Sequence, residues 1–234
     1  MYTKKQFAKM IDNTLLRPDA TKDDLLRFCD ESNKRHFACV CVFPCWVGTA
    51  ARRLENSDVK ISAVVAFPFG ATTRMSKIYE IKNAIANGAK EIDAVMNISK
   101  FKSGDHAAVA QDLREMVEAT RTSGAIEESR RMLIKIIIET CFLSEQEKDI
   151  ASRLVRDAGA DFIKTSTGTA SGGATMEDIR QIRRAVGPSP IGIKASGGIK
   201  SVTTALQMLD AGANRIGTSS GNALYDEYSG VDDE

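Results

Sequence analysis

The sequence predicts an α/β fold, a closed (β/α)8 barrel, with residues 1–234 forming a single domain. Two observations predict it: eight short apolar runs rich in valine and isoleucine, and helical segments between them, at a spacing that fits one strand plus one helix for most units. Nearly continuous apolar runs are typical of parallel strands covered on both faces. Eight such units favour a closed barrel; an open doubly wound sheet remains an alternative, but it lacks a G-x-G-x-x-G motif after the first strand.

The predicted strands follow one another along the whole chain. In order, they cover residues 10–16, 37–43, 59–67, 90–96, 132–139, 160–164, 190–194 and 214–218. In a barrel of this kind the loops that follow the strands build the active site, so the chemistry is expected at the carboxyl ends of these runs.

The predicted helices between the strands have start and end signals. Capping-box patterns, in which a hydroxyl side chain precedes an acidic residue by three positions, begin at Thr21, Ser144 and Thr175. Glycines that end helical stretches occur at Gly88, Gly159 and Gly212. These signals support the alternation of strand and helix.

A faint repeat, G-A-x-x-I followed by one variable residue, relates three of the units. It covers residues 88–93, 159–164 and 212–217. By this repeat, Asp93, Lys164 and Gly217 occupy the same level of three different strands. If the side chain of Lys164 points into the barrel, that of Asp93 is therefore expected to do so as well.

Length and composition exclude several classes of protein. A chain of 234 residues with 43% hydrophobic and 27% charged residues fits a globular protein of one large or two small domains, not a disordered or fibrous one. The 32 Lys and Arg residues against 31 Asp and Glu leave a net charge of +1, which argues against an extended phosphate-backbone footprint. We therefore expect no nucleic-acid partner.

Neither a membrane-spanning helix nor a signal peptide is predicted. The uncharged stretch from Ala38 to Ala51 contains Pro44 and Gly48 and is shorter than the ~18 apolar residues of a membrane-spanning helix. The N-terminal residues MYTKKQFAKM have neither an apolar signal core nor a small-residue cleavage site. We therefore expect a cytoplasmic protein without a membrane partner.

Histidine and cysteine usage argues against metal chemistry. The two histidines, His36 and His106, are both interpreted as surface residues, so a multi-histidine metal site is not expected. The five cysteines show no C-x-x-C pattern and fit reduced thiols, with Cys39 and Cys41 as core residues of a strand. We expect neither a metal nor another cofactor.

Two lysines close consecutive predicted strands: Lys164 is followed by TSTG, and Lys194 by ASGG. A lysine at the end of an apolar strand is costly to bury, and either one alone could extend to solvent or pair with a carboxylate across the barrel. Two ammonium groups about 5 Å apart, however, repel by roughly 3 kcal/mol at an effective dielectric of ~20, which lowers the pKa of one amine by about 2 units. A neutral amine can form a Schiff base with a carbonyl, and this argument leaves open which lysine is the nucleophile.

Four further ionisable residues lie on predicted strands. Asp93 is the candidate for proton transfer, with a structural ion pair to a lysine as the alternative. Asp12, on the first strand, is a second inward candidate, for which structural and functional interpretations are evenly balanced. Lys135 and Glu139 lie four residues apart on one face of the fifth strand, and we interpret them mainly as an ion-pair layer.

The last two units end in Gly/Ser-rich turns, ASGGIKS and GTSSGN, each leading into a helix. Backbone N–H groups in such turns and at helix N-termini bind phosphate, and barrels often have a phosphate site after their last two strands. A phosphate site beside the lysine pair predicts a small phosphorylated carbonyl compound as the substrate.

Segments spread over nearly the whole chain resemble one known family. IDNTLLRPDAT, FPFGATT, EIDAVMN, DFIKTSTG and IKASGG are similar to segments of deoxyribose-phosphate aldolases, which are class I (Schiff-base) aldolases on a (β/α)8 barrel. The resemblance implies reversible cleavage of 2-deoxy-D-ribose 5-phosphate to D-glyceraldehyde 3-phosphate and acetaldehyde. It also implies that Lys164 is the Schiff-base lysine, that Lys194 tunes it and shares in proton transfer, and that Asp93 is the acid/base group.

The resemblance implies a set of substrate contacts as well. The residues expected at the substrate are Asp12, Thr14, Cys41, Thr165, Gly197, Gly198, Ser219 and Ser220, the last four of them in the phosphate loops. The expected partners are small phosphorylated sugars or aldehydes and further copies of the chain, in a homodimer or homotetramer.

Some positions depart from the family pattern. Thr169 stands where some relatives have a lysine that contacts phosphate, so a related Schiff-base aldolase acting on another phosphorylated sugar is the alternative function. In certain relatives a C-terminal tyrosine assists proton transfer. Here Tyr225 and Tyr228 are interpreted as tyrosines of a surface helix instead.

Overall fold

The computed structural model describes residues 2–123 and 132–231 and shows a closed barrel of eight parallel strands in sequential order. The strands are Ile11–Leu15 (β1), Cys39–Val42 (β2), Lys60–Val65 (β3), Glu91–Val95 (β4), Leu133–Ile137 (β5), Phe162–Lys164 (β6), Gly192–Ser196 (β7) and Arg215–Thr218 (β8). All eight predicted strands are present, and each bound agrees with the prediction to within two residues. The predicted (β/α)8 fold, known as a TIM barrel, is confirmed.

Helices surround the barrel and alternate with the strands. Those in the described residues are Lys4–Ala8 (α1), Lys22–Lys34 (α2), Val47–Arg53 (α3), Arg74–Ala86 (α4), Ile98–Lys102 (α5), His106–Ser123 (α6), Glu145–Asp157 (α7), Met176–Val186 (α8), Val202–Asp210 (α9) and Gly221–Glu227 (α10). In the part of the chain that the structure describes, none of these helices is long and apolar enough to cross a membrane.

The predicted helix caps are largely confirmed. Thr21 and Ser144 form reciprocal capping boxes with the residues three positions further on. Thr175 caps α8 in one direction only, because the Asp178 carboxylate accepts a hydrogen bond from Thr140 instead. The three predicted helix-ending glycines have left-handed φ angles of 109°, 83° and 113° at Gly88, Gly159 and Gly212.

The barrel has a shear number of 8, because following the paired residues once around it returns to β1 eight residues from the starting position. In such a barrel, each interior layer takes one side chain from every second strand. One layer is formed by Cys41, Asp93, Lys164 and Gly217. The next layer towards the amino ends of the strands is formed by Asp12, Ser62, Lys135 and Lys194. The common level that the sequence repeat predicts for three residues of the first layer is thereby confirmed.

The two faces of the strands have different chemistry. The outward-facing side chains form the apolar core with the helices, and fully buried examples are Val40, Ile92, Ile136, Ile163 and Ile193. The inward-facing positions carry acidic, basic and small residues. Burying charged groups without partners is unfavourable, so the charges inside the barrel are expected to pair with one another.

The cysteine and histidine predictions are mostly correct. Cys39 and Cys41 are fully buried, as expected for core residues. His36 is exposed, with its Nδ1 atom 2.9 Å from Asp58. His106 begins α6 but is only half-buried, because its ring stacks on Phe101 with the centroids 4.8 Å apart.

Candidate active site

Lys164 and Lys194 are direct neighbours, as their positions in the sequence predict. Lys164 is the last residue of β6 and pairs in register with Lys194 of β7. The Nζ atoms of both lysines lie 2.8 Å from the same oxygen, Oδ2 of Asp93. The side chain of Lys164 is 3% exposed and that of Lys194 is fully buried. The site thus consists of two ammonium groups bridged by one carboxylate.

This bridging carboxylate changes the expected electrostatics. Lys194 also lies 2.6 Å from Oδ2 of Asp12. Burial works against its charge, but the carboxylates of Asp12 and Asp93 outweigh burial and raise the pKa of Lys194 above its ordinary value. Lys194 is therefore not the amine whose pKa the predicted repulsion lowers, because the two carboxylates outweigh that repulsion.

Asp93 is a permanently ionised group at the centre of the site. Burial opposes its ionisation, but the charges of Lys135, Lys164 and Lys194 outweigh that effect and hold its pKa well below the usual value. Its second oxygen, Oδ1, accepts hydrogen bonds from Lys135 at 2.8 Å and from Ser62 at 2.9 Å. Both oxygens are thus used, and the orientation of the carboxylate is fixed.

Lys135 is a third buried lysine in the site, whereas the sequence predicts only a pair. It contacts Glu91 at 2.5 Å, Asp93 at 2.8 Å and Asp12 at 3.4 Å. Burial opposes its charge, but these carboxylates raise its pKa well above the ordinary value. The predicted ion-pair layer is therefore correct for Lys135. It is wrong for Glu139, which lies beyond the end of β5 and binds Thr167 instead.

Three residues at the amino-terminal side of this cluster have ligand atoms close enough together to hold a metal ion, namely Asp12, Cys39 and Glu91. The carboxylates are already paired with protein cations, since Arg215 contacts Asp12 at 3.3 Å and Glu91 at 2.7 Å. Burial also raises the pKa of the Cys39 thiol well above its ordinary value. This group of residues is best described as part of the ion-pair network.

The buried network as a whole carries one more cation than anions. Its members are the cations Lys135, Lys164, Lys194 and Arg215 and the carboxylates Asp12, Glu91 and Asp93. Of the four cations, Lys164 is the one whose side chain lines an open cavity. A carbonyl compound that enters this cavity therefore meets the amine of Lys164 and none of the other three cations.

The cavity beside Lys164 has a volume of about 330 Å³, at the lower end of the range for small-ligand sites. It is lined by Thr14, Leu16, Arg17, Lys164, Thr167, Gly168, Thr169, Ser196, Gly197, Gly198, Ile199, Lys200, Gly217, Thr218 and Ser219. Gly197 and Gly198 have left-handed φ angles of 89° and 79°, a turn geometry that favours glycine. Arg17 and Lys200 bring two cationic side chains to the cavity wall, which favours an anionic ligand.

The predicted substrate contacts divide into two groups. Those that line the cavity are Thr14, Gly197, Gly198 and Ser219. Those that do not are Asp12, Cys41, Thr165 and Ser220. Thr14 lies one residue before the end of β1, and Gly197, Gly198 and Ser219 lie in the loops that follow β7 and β8, so all four are at the carboxyl ends of strands, where the site is predicted.

The residues of the second group have other partners. Thr165 Oγ1 accepts from the Ser196 N–H and donates to the Ser196 carbonyl, which ties β6 to β7. The Ser220 N–H donates to Thr218 Oγ1 and is therefore not free for a phosphate. Cys41 is fully buried, with its Sγ atom 3.8 Å from Oδ2 of Asp93, and burial raises the pKa of its thiol.

Sequence reasoning missed several residues of the cavity wall. The predicted contacts do not include Arg17, Thr167 and Lys200, although each follows a strand end by two to four residues. All three carry a hydroxyl or basic side chain in the segment directly after a strand, and this is the signal in the sequence that indicates them.

The two C-terminal tyrosines lie at the opposite end of the barrel from this cavity. Tyr228 stacks on Phe7 of α1 at 4.2 Å and donates a hydrogen bond to the Tyr2 carbonyl at 2.7 Å. Tyr225 packs edge-on against Phe37 at 5.9 Å. Neither tyrosine lines the cavity, but the prediction of a surface position is wrong for Tyr228, which is buried by its packing against Phe7.

Comparison with known proteins places these features in context. The model of a family described as DeoC/LacD family aldolase matches residues 7–227. A deoxyribose-phosphate aldolase of Thermoanaerobacter sp. (strain X514) is 46% identical over 222 residues, which is 95% of this chain and 96% of that protein. One of Brevibacillus brevis is 49% identical over 216 residues, covering 92% and 93% of the two chains.

A solved structure is similar as well. The tetrameric deoxyribose phosphate aldolase of Aeropyrum pernix superposes with a TM-score of 0.87 at 29% sequence identity, covering 96% of this chain and 91% of that one.

Proposed function

The chain belongs to the DeoC/LacD aldolase family and is a lyase, and we propose that it reversibly cleaves 2-deoxy-D-ribose 5-phosphate to D-glyceraldehyde 3-phosphate and acetaldehyde. The names of the relatives support this substrate. The observation that carries the proposal is the position of Lys164, whose Nζ atom contacts Asp93 and whose side chain lines the cavity. No metal or organic cofactor is part of the proposed reaction.

The proposed reaction passes through a Schiff base on Lys164. The neutral amine attacks C1 of the open-chain sugar, and loss of water from the adduct gives an iminium ion. The C3 hydroxyl then loses its proton, the C2–C3 bond breaks, and its electron pair passes to the iminium as an enamine, which releases D-glyceraldehyde 3-phosphate. Protonation of the enamine at C2 and hydrolysis release acetaldehyde and restore Lys164.

Asp93 and Lys194 are proposed to serve the proton transfers. Asp93 lies 2.8 Å from Lys164, so it is the nearest acceptor for a proton or a hydrogen bond from that amine. Lys194 keeps its own proton because Asp12 and Asp93 raise its pKa. It therefore holds Asp93 in place and keeps a positive charge next to Lys164, which favours the neutral form of the nucleophile.

The phosphate end of the substrate is proposed to bind between the loops after β1, β6 and β7. Gly197 and Gly198 offer backbone N–H groups in a tight turn, and Arg17 and Lys200 supply positive charge at the same wall. Arg17 is also paired with Asp19 and Asp24, so Lys200 is the cation with more freedom to contact a phosphate.

A related aldolase activity on another phosphorylated sugar is the second candidate. Thr169 lines the cavity where some relatives have a lysine, so the wall carries one positive charge fewer there. A substrate panel separates the two candidates. Faster cleavage of 2-deoxyribose 5-phosphate than of ketose phosphates supports the first, faster cleavage of a ketose phosphate supports the second, and Lys164→Met serves as the inactive control for both.

We also propose that the enzyme is a homo-oligomer. Phe69, Met75 and Tyr79 are 74%, 68% and 72% exposed and lie together at the start of α4 and in the loop before it. Large exposed apolar side chains that cluster in this way mark interaction surfaces. The similar aldolase of Aeropyrum pernix is a tetramer, which supports a second copy of this chain as the occupant.

A further inference from the structure

Glu139 has a backbone conformation that its residue type disfavours. It follows the last residue of β5 by two positions, with φ 53° and ψ 69° in the left-handed region. A side chain disfavours this region, so residues other than glycine adopt it where the surroundings fix them, often beside functional sites. Glycine would avoid this strain, so the presence of glutamate points to a role of its side chain.

The carboxylate of Glu139 holds Thr167 by three hydrogen bonds. The residue is only 2% exposed. The N–H of Thr167 donates to Oε1 and Oε2 at 3.2 Å each, and its hydroxyl donates to Oε2 at 2.5 Å. Burial raises the pKa of Glu139, although these bonds and the charge of Lys164 act in the other direction. The carboxylate lies close to the site without lining the cavity.

The effect of Glu139 extends to Thr169. A hydroxyl group has one proton, so once Thr167 donates it to Glu139 the Thr167 oxygen can only accept. It accepts from the Thr169 N–H at 3.1 Å, and the Thr169 hydroxyl lies 2.9 Å away in the position of a donor. Glu139 therefore sets the direction of the hydrogen bonds along residues 167–169.

These three residues form one wall of the cavity. Thr167, Gly168 and Thr169 all line it, and a Cβ at Gly168 would lie 3.8 Å from the Cα of Gly197 on the opposite loop. We propose that Glu139 is a positioning residue that fixes residues 167–169 against the phosphate end of the substrate. The inference rests on the proposed function and adds a specificity role for a side chain outside the cavity.

The test compares two sugars in Glu139 variants. We expect Glu139→Ala to raise KM for 2-deoxyribose 5-phosphate about tenfold, as loss of hydrogen bonds to a charged group does, and to change kcat/KM for unphosphorylated 2-deoxyribose less than about threefold. Glu139→Gln keeps one acceptor oxygen and is expected to restore part of the loss. Borohydride trapping with acetaldehyde should still label Lys164 in both variants, because acetaldehyde carries no phosphate.

Asp178→Asn is the matched control. Asp178 is also a buried carboxylate, 5% exposed, but it holds Thr140 at 3.0 Å and Lys148 at 2.7 Å on the outer side of the same turn. The Asp178→Asn variant is expected to be less stable than the wild-type enzyme but to keep the wild-type ratio of kcat/KM values for the two sugars. If Glu139→Ala does not fold, Thr167→Val, which replaces the hydroxyl with a methyl group, is the second test. It must raise KM for 2-deoxyribose 5-phosphate more than it affects 2-deoxyribose, by a smaller factor than Glu139→Ala is expected to show.

Two results would overturn different parts of the account. If the wild-type enzyme is active and Glu139→Ala has the same preference for the phosphorylated sugar, the positioning role alone is overturned. The same conclusion follows if Asp178→Asn changes this preference as much as Glu139→Ala does. A wild-type enzyme that cleaves neither sugar overturns the proposed function.

Discussion

Lys164 and Lys194 face each other across the pairing of β6 with β7, and both ammonium groups lie 2.8 Å from Oδ2 of Asp93. A carboxylate at this distance from both cations offsets the repulsion that two isolated ammonium groups would have. In the proposed mechanism, the charges that act on Lys164 are those of the whole buried network, in which four cations face three carboxylates.

Removal of the Lys194 charge is expected to make the reaction dependent on high pH. Lys194→Met leaves three cations against three carboxylates and removes the positive charge next to Lys164. Removal of a like charge beside an amine favours its protonated form, which is not a nucleophile. We expect kcat to fall about 100-fold at pH 7, the lower end of general acid–base effects, and to recover in part as the pH rises to 10.

The measurement is a pH–rate profile of the variant and the wild-type enzyme. Lys90→Met, which removes an exposed lysine before β4, is the control and should follow the wild-type profile. A Lys194→Met enzyme that is equally inactive at every pH would mean that Lys194 itself carries a proton in the reaction.

The fold and the position of the lysine pair could be predicted from the sequence, but the charge network could not. The apolar runs around Lys164 and Lys194 are local patterns, and a repeat places Asp93 at the level of Lys164. The sequence predicts Lys135 in an ion-pair layer but does not indicate its partners, because Asp12 lies on β1, which is not adjacent to β5, and Glu91 lies on the adjacent β4 in an offset register. These contacts depend on the shear of the barrel, which only the strand register reveals.

Glu139 shows a second limit of sequence reasoning. It was assigned to the fifth strand because the apolar run continues to it, but the strand ends at Ile137 and the chain turns with a left-handed residue. A turn made by glutamate has no glycine or proline to indicate it. The proposed positioning role of Glu139 rests on its hydrogen bonds to Thr167, which no local sequence pattern indicates.

The free energy of unfolding is expected to fall below about pH 4. The pKa values of Asp12 and Asp93 are lower in the folded chain than in the unfolded one, where an aspartate titrates near ~3.9. Their stabilisation is therefore complete above that pH and is lost as the pH falls, by up to about 1.4 kcal/mol per pH unit for each carboxylate.

Urea unfolding between pH 3 and 6, at high salt to screen exposed ion pairs, measures this loss. Glu139 affects the free energy of unfolding in the opposite sense, because burial raises its pKa in the folded chain. Its contribution changes only above the pKa of ~4.3 of a glutamate in the unfolded chain, and therefore in a higher pH range. An unfolding free energy that stays constant from pH 5 to pH 3 would contradict the assigned ionisation of the network.

Lys200 is expected to select for phosphorylated substrates. Lys200→Ala removes a cation from the cavity wall, and we expect KM for 2-deoxyribose 5-phosphate to rise about tenfold, with little change for 2-deoxyribose. Steady-state kinetics with both sugars measure the effect, with Lys90→Ala as the control. An equal effect of Lys200→Ala on the two sugars would place the phosphate elsewhere.

The exposed apolar patch at α4 is expected to hold copies of the chain together. Tyr79→Lys introduces a charge where two copies would meet, so the enzyme is expected to dissociate to a smaller species in light scattering during gel filtration. Phe142→Lys alters another exposed aromatic residue, 51% exposed, and should leave the assembly intact. If Tyr79→Lys elutes as the wild-type assembly does, this patch is not the interface.

The most direct test of the account is to identify the lysine that carries the Schiff base. Borohydride reduction in the presence of acetaldehyde, followed by peptide mass spectrometry, is expected to find an ethyl group on Lys164 and to find none there in Lys164→Met. Lys164 is the network cation that lines the cavity, while Lys135 and Lys194 are fully buried and held by carboxylates. An ethyl group on Lys135 or Lys194, or no modification of the wild-type enzyme, would contradict the proposed mechanism.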